Sequence, residues 1–296
     1  MATLYTQQDK NVRKTWLLFA LFLVVVIAIG WVFAEVWGNP LILYVAVIFA
    51  LVMNVAGYWW SDKIVLKMTG ARPAERERDW GVMTTVENLA ITAGLPKPRV
   101  YIIDDPAPNA FATGRDPEHA VVAVTTGLVA ILENEELEGV IAHELAHIGN
   151  RDMLLSTAVV VLVGFVAIAS DIFLRSMMWG GRGDNNRAGG ALVLIGLALA
   201  ILSPVVATLI QLAISRRREF LADASGALLT RYPEGLARAL EKIAAKNLPV
   251  RRASNATAHL FIANPFGSES MKGLHKLFLT HPPVADRTRV LRGMEI

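Results

Sequence analysis

The sequence predicts an α+β membrane protein in which four hydrophobic helices accompany a mainly helical, water-exposed domain that contains a small β-sheet. Composition is the first reason: of 296 residues, 54% are hydrophobic and only 19% are charged, which is too apolar for an ordinary soluble domain. Distribution is the second reason, because the apolar residues concentrate in four blocks separated by polar segments. We therefore expect an integral membrane protein.

The first two hydrophobic blocks, residues 16–34 and 41–60, are each long enough to cross a hydrocarbon core of about 30 Å as a helix. The first block exceeds the roughly 7–15 apolar residues of a cleavable signal peptide, and Glu35-Val36-Trp37 is a poor cleavage site, so we interpret it as a retained anchor. Residues 153–170 and 188–214 are the candidates for a second helix pair.

Basic residues beside the first two spans predict their orientation. Lys10, Arg13 and Lys14 precede the first span, residues 35–40 between the spans carry no Lys or Arg, and five basic residues follow within residues 61–78. Because Lys and Arg accumulate on the cytoplasmic side, the N-terminus and the segment after the second span are expected to face the cytoplasm. If both later blocks also span, residues 215–296 return to that same side.

The chain is therefore divided into four parts. Residues 1–60 form an N-terminal cytoplasmic tail and a two-span anchor, residues 61–152 a first water-exposed part, residues 153–214 the second hydrophobic pair, and residues 215–296 a second water-exposed part. The first exposed part has nine Lys/Arg against fifteen Asp/Glu, and the second has fourteen against seven. Opposite charge favours their docking into one domain, and neither pattern is typical of nucleic-acid binding. The absence of cysteine excludes disulfide bonds and a thiol nucleophile.

Within the first exposed part, the pattern predicts a helix followed by a small sheet. Residues 79–93 place apolar side chains at helical spacing, and a Gly-Leu-Pro-Lys-Pro segment ends the helix. Residues 100–103 are typical of a short strand. Residues 110–113 and 120–124 flank a Gly-Arg-Asp-Pro turn, which indicates a β-hairpin.

The next helix, predicted to start at the N-cap Asn134 and to stop at Gly149, carries His143-Glu144-Leu145-Ala146-His147. Residues at i and i+4 share one helix face with Cβ atoms about 5–6 Å apart, so both imidazoles can bind one tetrahedral Zn²⁺. Glu144 can act on a water molecule in the remaining position, which is the chemistry of a zinc peptidase. The motif alone also allows two hydrogen-bonded histidines on an ordinary amphipathic helix.

A mononuclear site of this kind needs a third protein ligand. Glu219 and Asp223 lie at i and i+4 of a second predicted helix, a spacing that suits one carboxylate ligand and one carboxylate that orients an imidazole. The alternative is that Glu219 pairs with the adjacent Arg216-Arg217-Arg218 on a solvated face. Beyond this segment the chain is predicted to be mainly helical, with prolines between the helices.

In combination, these features resemble the HtpX family of membrane zinc metallopeptidases, relatives of the CAAX prenyl protease. The resemblance covers nearly the whole chain: two early spans, HELAH, a hydrophobic pair, SRRREFLADASGA and a C-terminal THPP. It implies a zincin-like catalytic domain with one Zn²⁺ per chain, held by His143, His147 and Glu219. It also implies Glu144 as the general base and Asp223 as the residue that supports an imidazole.

The resemblance further implies a substrate-binding edge strand and two additional catalytic residues. The edge strand corresponds to residues 109–114, and its substrate-binding members are Asn109, Ala110, Phe111 and Ala112. The catalytic residues are His281 and Arg287, placed around the zinc to stabilise the negatively charged intermediate. From the residues alone, Asn109 is equally a turn residue after two prolines, a histidine such as His281 is more commonly a surface residue, and Arg287 is one of several arginines in a basic tail.

The function implied by the resemblance is a zinc-dependent endopeptidase for protein quality control. Such an enzyme hydrolyses damaged or misassembled membrane proteins in the bacterial inner membrane, with its catalytic domain facing the cytoplasm. Its expected partners are membrane-protein and polypeptide substrates and the lipid bilayer, with no nucleic acid. The alternative is a noncatalytic, zinc-stabilised membrane scaffold, which needs the three ligands but has no use for Glu144.

Overall fold

The computed structural model describes residues 4–163, 216–246, 248–254, 256–267 and 282–294, and in these ranges the protein is mostly helical with one four-stranded sheet. The helices are α1 (Leu4–Trp37), α2 (Leu41–Trp59), α3 (Ser61–Thr69), α4 (Trp80–Thr92), α5 (Thr126–Ile131), α6 (Asn134–Gly149), the described part of α7 (Asp152–Val163), α8 (Arg216–Thr230), α9 (Pro233–Lys246) and α10 (Val284–Arg292). The strands are β1 (Arg72–Pro73), β2 (Arg99–Ile103), β3 (Ala110–Thr113) and β4 (Val121–Thr125).

Two described helices are long and apolar enough to cross a membrane, Gln8–Glu35 within α1 and Leu41–Trp59, which is α2. Helices α6 and α7 pass the same test only as one bent pair, with an angle of 85° between them. The first two predicted spans are therefore confirmed as helices of sufficient length and apolar composition to cross a membrane. Of the later blocks, residues 164–170 and 188–214 lie outside the described residues, so the prediction of four hydrophobic helices is confirmed only for two.

The polar N-terminal segment continues helix α1, where the sequence suggested a tail. At 1.5 Å per residue, the 34 residues of α1 extend about 51 Å, well beyond a hydrocarbon core of about 30 Å. The surplus is the amino-terminal part, where Asn11 and Thr15 are buried against other elements. Tertiary contacts thus stabilise a helix in a segment whose polar composition alone does not require one.

The sheet confirms the predicted hairpin and the edge position of its first strand. The strand order is β1-β2-β4-β3, with β2 parallel to β4 and β3 antiparallel to β4. Ala110 lies opposite Val124, and Thr113 lies opposite Val121. Strand β3 is therefore the outer strand on one side of this sheet.

Both faces of the sheet are covered, and the two covers differ. Because successive side chains of a strand point to opposite faces, Ala110 and Ala112 face the core formed with α4 and α6, whereas Phe111 and Ala123 face a second core that includes Leu18 of α1 and residues of α7. This double cover explains why every residue of β3 and β4 is buried. It holds the edge strand between the HELAH helix and the membrane anchor.

Helix α6 begins one residue earlier than the sequence suggested, because its N-cap is Glu133 and not Asn134. Glu133 and Glu136 form a capping box, in which the Glu133 N–H donates to Glu136 Oε2 at 2.9 Å. Glu136 is fully buried, and Lys242 of α9 donates to the same carboxylate at 2.7 Å. This ion pair joins the acidic and basic water-exposed parts, as their opposite charges suggested.

Close helix packing brings α8 against the HELAH helix. A Cβ atom on Gly226 would lie only 2.9 Å from the main-chain nitrogen of His143, so glycine permits an approach that any side chain would obstruct. Because Glu219 and Asp223 occupy the same helix, this approach positions both carboxylates beside the histidines of α6.

Candidate metal centre

Three side chains from two helices converge on one point. His143 and His147 lie one turn apart on α6, with their Nε2 atoms 3.2 Å apart. Glu219 on α8 places Oε2 3.8 Å from His143 Nε2 and Oε1 3.7 Å from His147 Nε2. All three ligand atoms lie within 4.8 Å of one another, so this group can hold one metal ion.

The spacing and chemistry of these atoms fit zinc. Ligand atoms at about 2.0–2.1 Å from a tetrahedral Zn²⁺ are about 3.3 Å apart, and the observed separations of 3.2, 3.7 and 3.8 Å bracket that value. Two imidazole nitrogens and one carboxylate oxygen form a donor set that zinc prefers. Three protein ligands also leave a fourth position open, as in catalytic rather than structural zinc sites.

His143 is supported by a closed ionic network. Its Nδ1 lies 2.9 Å from Asp223 Oδ1, and Arg287 of α10 donates to both oxygens of that carboxylate, at 2.6 Å and 2.9 Å. Burial would raise the pKa of Asp223, but the Arg287 charge and these hydrogen bonds lower it to about 2. Burial lowers the pKa of His143 to about 4 despite its bond to Asp223, so its imidazole is neutral at pH 7.

His147 is supported by Asp152, the first residue of α7. Its Nδ1 lies 3.2 Å from Asp152 Oδ2. Burial alone would lower the pKa of His147, but the Asp152 hydrogen bond and the charge of Glu219 raise it to about 9. In the metal-free protein, His147 therefore carries a proton at pH 7 that a metal ion must displace.

Glu144 lies beside the ligands with its side chain buried. Burial raises the pKa of its carboxyl group to about 7. The backbone N–H of Ala112 on β3 donates a hydrogen bond to this carboxyl group, and that bond lowers the pKa by a smaller amount. A carboxyl group with this pKa can accept and return a proton near neutral pH. The edge strand thus contacts this carboxyl group through its main chain.

Arg287 is buried beside His143 and its supporting carboxylate. Its guanidinium group binds Asp223 and donates to the Ile262 carbonyl at 3.2 Å, and its Nη2 is 3.5 Å from His143 Nδ1. Because Nε2 is the nitrogen that faces the metal position, Arg287 lies behind the His143 ring. Its predicted contact with a charged intermediate stays a prediction. His281 lies outside the described residues.

The edge strand is partly occupied by the chain itself. The Asn109 side chain exchanges hydrogen bonds with the main chain of Ala263, at 3.1 and 3.3 Å, and the Ala110 carbonyl accepts from Ile262 N–H at 2.9 Å. Phe111 pairs with Ala123 of β4, so its main chain faces inward. Of the four predicted substrate-binding residues, Ala112 alone presents its main chain toward Glu144.

Sequence reasoning missed Asp152 and His259. The cavity beside the ligands is lined in part by Met153 and Ser156 of α7 and by His259, whose Nε2 lies 2.9 Å from the Ser156 carbonyl oxygen. Asp152 follows His147 by five residues, which no helical spacing rule favours. His259 is more than 110 positions from the motif, so only tertiary contact brings it there.

The HELAH helix, the carboxylate ligand from a second helix and the membrane-crossing helices together define a class, the membrane-bound zinc metallopeptidases. A family model described as "Peptidase family M48" matches residues 76–295. The chain belongs to this family.

Relatives support this membership over the whole chain. The chain is 48% identical over 301 residues to "Protease HtpX homolog" of Caldanaerobacter subterraneus subsp. tengcongensis, covering 99% of both chains. It is 48% identical over 299 residues to "Protease HtpX homolog" of Thermoanaerobacter pseudethanolicus, covering 99% of this chain and 98% of that one. The predicted resemblance to the HtpX family is confirmed, and the protein is a membrane zinc metalloprotease.

A solved structure shares the fold. The crystal structure of Ste24p of S. mikatae matches with a TM-score of 0.52 and 20% sequence identity, covering 97% of this chain and 66% of that one. A scaffold without activity is not supported, since the chain belongs to a peptidase family and keeps Glu144 buried beside the ligands.

Proposed function

We propose that this metalloprotease is an endopeptidase for damaged or misassembled membrane proteins, and that it works on the cytoplasmic face of the bacterial inner membrane. One observation carries the proposal. The opposite face of the edge strand that contacts Glu144 belongs to an apolar core that also contains residues of α1 and α7, so this core connects the catalytic groups with the membrane anchor. The excess of Lys and Arg before the first span and after the second supports the cytoplasmic orientation.

Each residue of the site has a separate task in the proposed reaction. His143, His147 and Glu219 hold the zinc ion, which when bound polarises the scissile carbonyl and lowers the pKa of water. Glu144 removes a proton from the attacking water and delivers it to the leaving amine. Asp223 and Asp152 keep the two imidazoles oriented through their Nδ1 atoms.

Arg287 is proposed to act through Asp223, as a positioning residue. It also holds the Ile262 carbonyl, and the amide of that residue pairs with the edge strand at Ala110. It therefore links the support of one zinc ligand to the segment beside the substrate strand. The role of a donor to the charged intermediate stays a proposal for His281.

Substrate is proposed to lie extended along β3. Since Ala110 is already paired with Ile262, the available edge is short and centres on Ala112. Main-chain hydrogen bonds at such an edge give affinity with little sequence selectivity, which suits an enzyme that removes many different damaged proteins.

The activity is tested with purified protein in detergent. Glu144→Gln preserves the shape of the side chain and leaves the three ligands in place, so it should retain zinc but lose about 10²–10⁴-fold in kcat because the proton acceptor is gone. Elemental analysis and a peptide-cleavage assay measure the two quantities. Comparable turnover in the variant and the wild type would overturn the mechanism.

The substrate class needs a separate comparison in liposomes. One membrane protein is offered in two forms, as the wild type and as a variant destabilised by a core substitution. Preferential cleavage of the destabilised form is expected. Equal cleavage of both forms would contradict a role in quality control and leave the protease activity intact.

The substrate strand is tested with Ala112→Pro, which removes the only N–H group of that residue. If substrate uses this amide, KM should rise by about two- to thirteenfold, which corresponds to the loss of one hydrogen bond of roughly 0.5–1.5 kcal/mol. If the amide binds Glu144 alone, KM stays constant. Loss of its hydrogen bond then raises the pKa of Glu144, so activity falls off at a higher pH on the acidic side of the pH profile.

A further inference from the structure

We propose that the amino-terminal membrane helix is part of the metal centre, with Asn11 of α1 as a positioning residue that holds Asp152 and, through it, His147. This inference rests on the proposed role of His147 as a zinc ligand. It assigns α1 a task beyond anchoring the enzyme in the bilayer.

Asn11 is buried at the junction of α6 and α7. Its Nδ2 atom donates to the Asn150 carbonyl at 3.0 Å and to Asp152 Oδ1 at 2.5 Å. One turn earlier on α1, Gln8 Nε2 donates to the Gly149 carbonyl at 2.6 Å. Two side-chain amides of the anchor thus contact three of the four residues from Gly149 to Asp152, which form the bend between α6 and α7.

Side-chain amides are suitable hydrogen-bond donors to this bend. The last carbonyls of a helix have no partner within the helix, and the chain turns by 85° between α6 and α7, with Arg151 in a left-handed conformation at φ 55°. A carboxamide offers two N–H donors on one nitrogen. Asn11 can therefore bind the end of α6 and the first residue of α7 together, which fixes the bend in which Asp152 lies.

The two oxygens of Asp152 are held from different directions. Asn11 and Arg218, the latter at 3.5 Å, contact Oδ1, and His147 Nδ1 contacts Oδ2. Only 3% of Asp152 is exposed, so a lost donor cannot be replaced freely by bulk water. Without Asn11, the carboxylate is free to turn toward Arg218 and away from the imidazole.

Anchoring alone does not require a polar residue at this position. Farther along α1, Leu18, Phe19 and Phe22 pack in the apolar core shared with α7. A buried amide lowers stability unless its hydrogen bonds are made, so an apolar side chain would serve packing equally well. The family model begins at residue 76, so Asn11 lies outside the part of the chain that it matches.

The test measures zinc affinity of the full-length protein in detergent at neutral pH, by competition with a chromophoric chelator. Groups that orient a metal-binding imidazole typically change affinity by about 10–100-fold, and Asn11 acts one contact farther away, so Asn11→Leu should weaken zinc binding by about tenfold. Asn11→Ala should do the same, and it should fold readily because alanine favours helices. Asp9→Leu, at an exposed position of the same helix, is the matched control and should bind zinc as the wild type does.

A double-mutant cycle separates positioning from general destabilisation. Asp152→Asn removes the carboxylate through which Asn11 is proposed to act, so adding Asn11→Leu to it should weaken zinc binding by less than about twofold. Wild-type affinity in both Asn11 variants, or the same tenfold loss with and without Asp152, would overturn the inference. Failure of the wild type to bind zinc would instead overturn the proposed metal site.

Discussion

The two histidines of the metal centre lie one turn apart on one helix, yet their supports differ in kind. His143 rests on Asp223, whose two carboxylate oxygens accept hydrogen bonds from Nε and Nη2 of Arg287 and which is almost completely buried. His147 rests on Asp152, which is held by a neutral amide and, at 3.5 Å, by Arg218. The first support is a closed ion pair from the C-terminal helix, and the second reaches the membrane anchor.

This difference separates two properties of the site. The Asp223–Arg287 pair is a buried interaction between opposite charges, so removal of one partner should mainly lower the stability of the fold. Asp152 raises the pKa of His147 by a hydrogen bond, so it should mainly control how strongly that imidazole binds metal or protons. Variants of Asp223 or Arg287 should therefore mainly lower stability, whereas variants of Asp152 should mainly lower zinc affinity.

The largest effect is expected from Arg287→Leu, which leaves the Asp223 carboxylate buried without its ionic partner. Breaking one side of a buried pair typically costs about 3–5 kcal/mol, so the free energy of unfolding should fall by that amount. Chemical denaturation in detergent measures it. Arg289→Leu is the control, because that exposed arginine on the same helix pairs with Asp286 at the surface and should matter by less than about 1 kcal/mol.

An intermediate effect is expected from Asp152→Asn, which retains size but removes the charge beside His147. Zinc affinity should fall about 10–100-fold, while the midpoint of thermal unfolding stays near that of the wild type. Asp223→Asn should lower the midpoint of thermal unfolding more than it lowers zinc affinity, since it leaves Arg287 without its carboxylate. Equal loss of stability in both variants would remove the distinction between the two supports.

The effect of pH is the smallest when it is expressed per pH unit. In the metal-free protein, His147 has a raised pKa of about 9 and is protonated below that pH, whereas His143 has a lowered pKa of about 4 and is already neutral. Zinc must therefore displace one proton between these values, and its apparent affinity should fall about tenfold for each pH unit below 9. Affinity that does not change between pH 6 and 8 would contradict this assignment.

Asp152→Asn sharpens the same measurement. Loss of the hydrogen bond and charge should lower the pKa of His147, so the pH-dependent range of zinc binding should move to lower pH. The control is Asp116→Asn in the exposed β3–β4 loop, where Asp116 accepts a hydrogen bond from the His119 N–H. This variant should leave the pH-dependent range of zinc binding unchanged. A shift caused by both variants would point to a general change in charge.

The sequence by itself determined the features that depend on local geometry. The HELAH spacing places two imidazoles and Glu144 on one helix because a helix repeats every 3.6 residues, and the first two apolar blocks are long enough to span a bilayer as helices. The hairpin followed from alternating strands beside a turn. The N-cap was missed by one residue because Glu133 and Asn134 are both polar, and the reciprocal bond of Glu133 with Glu136 decides between them.

Only the tertiary structure decided which groups stand behind these residues. Asn11 and Asp152 are 141 positions apart, and Arg287 and His143 are 144 positions apart, so no periodic pattern reports either contact. The same holds for Ile262, which occupies part of the edge strand that the sequence assigned to substrate. Such contacts depend on the angle and distance at which helices cross, which arise from packing across the whole chain and leave no local signature.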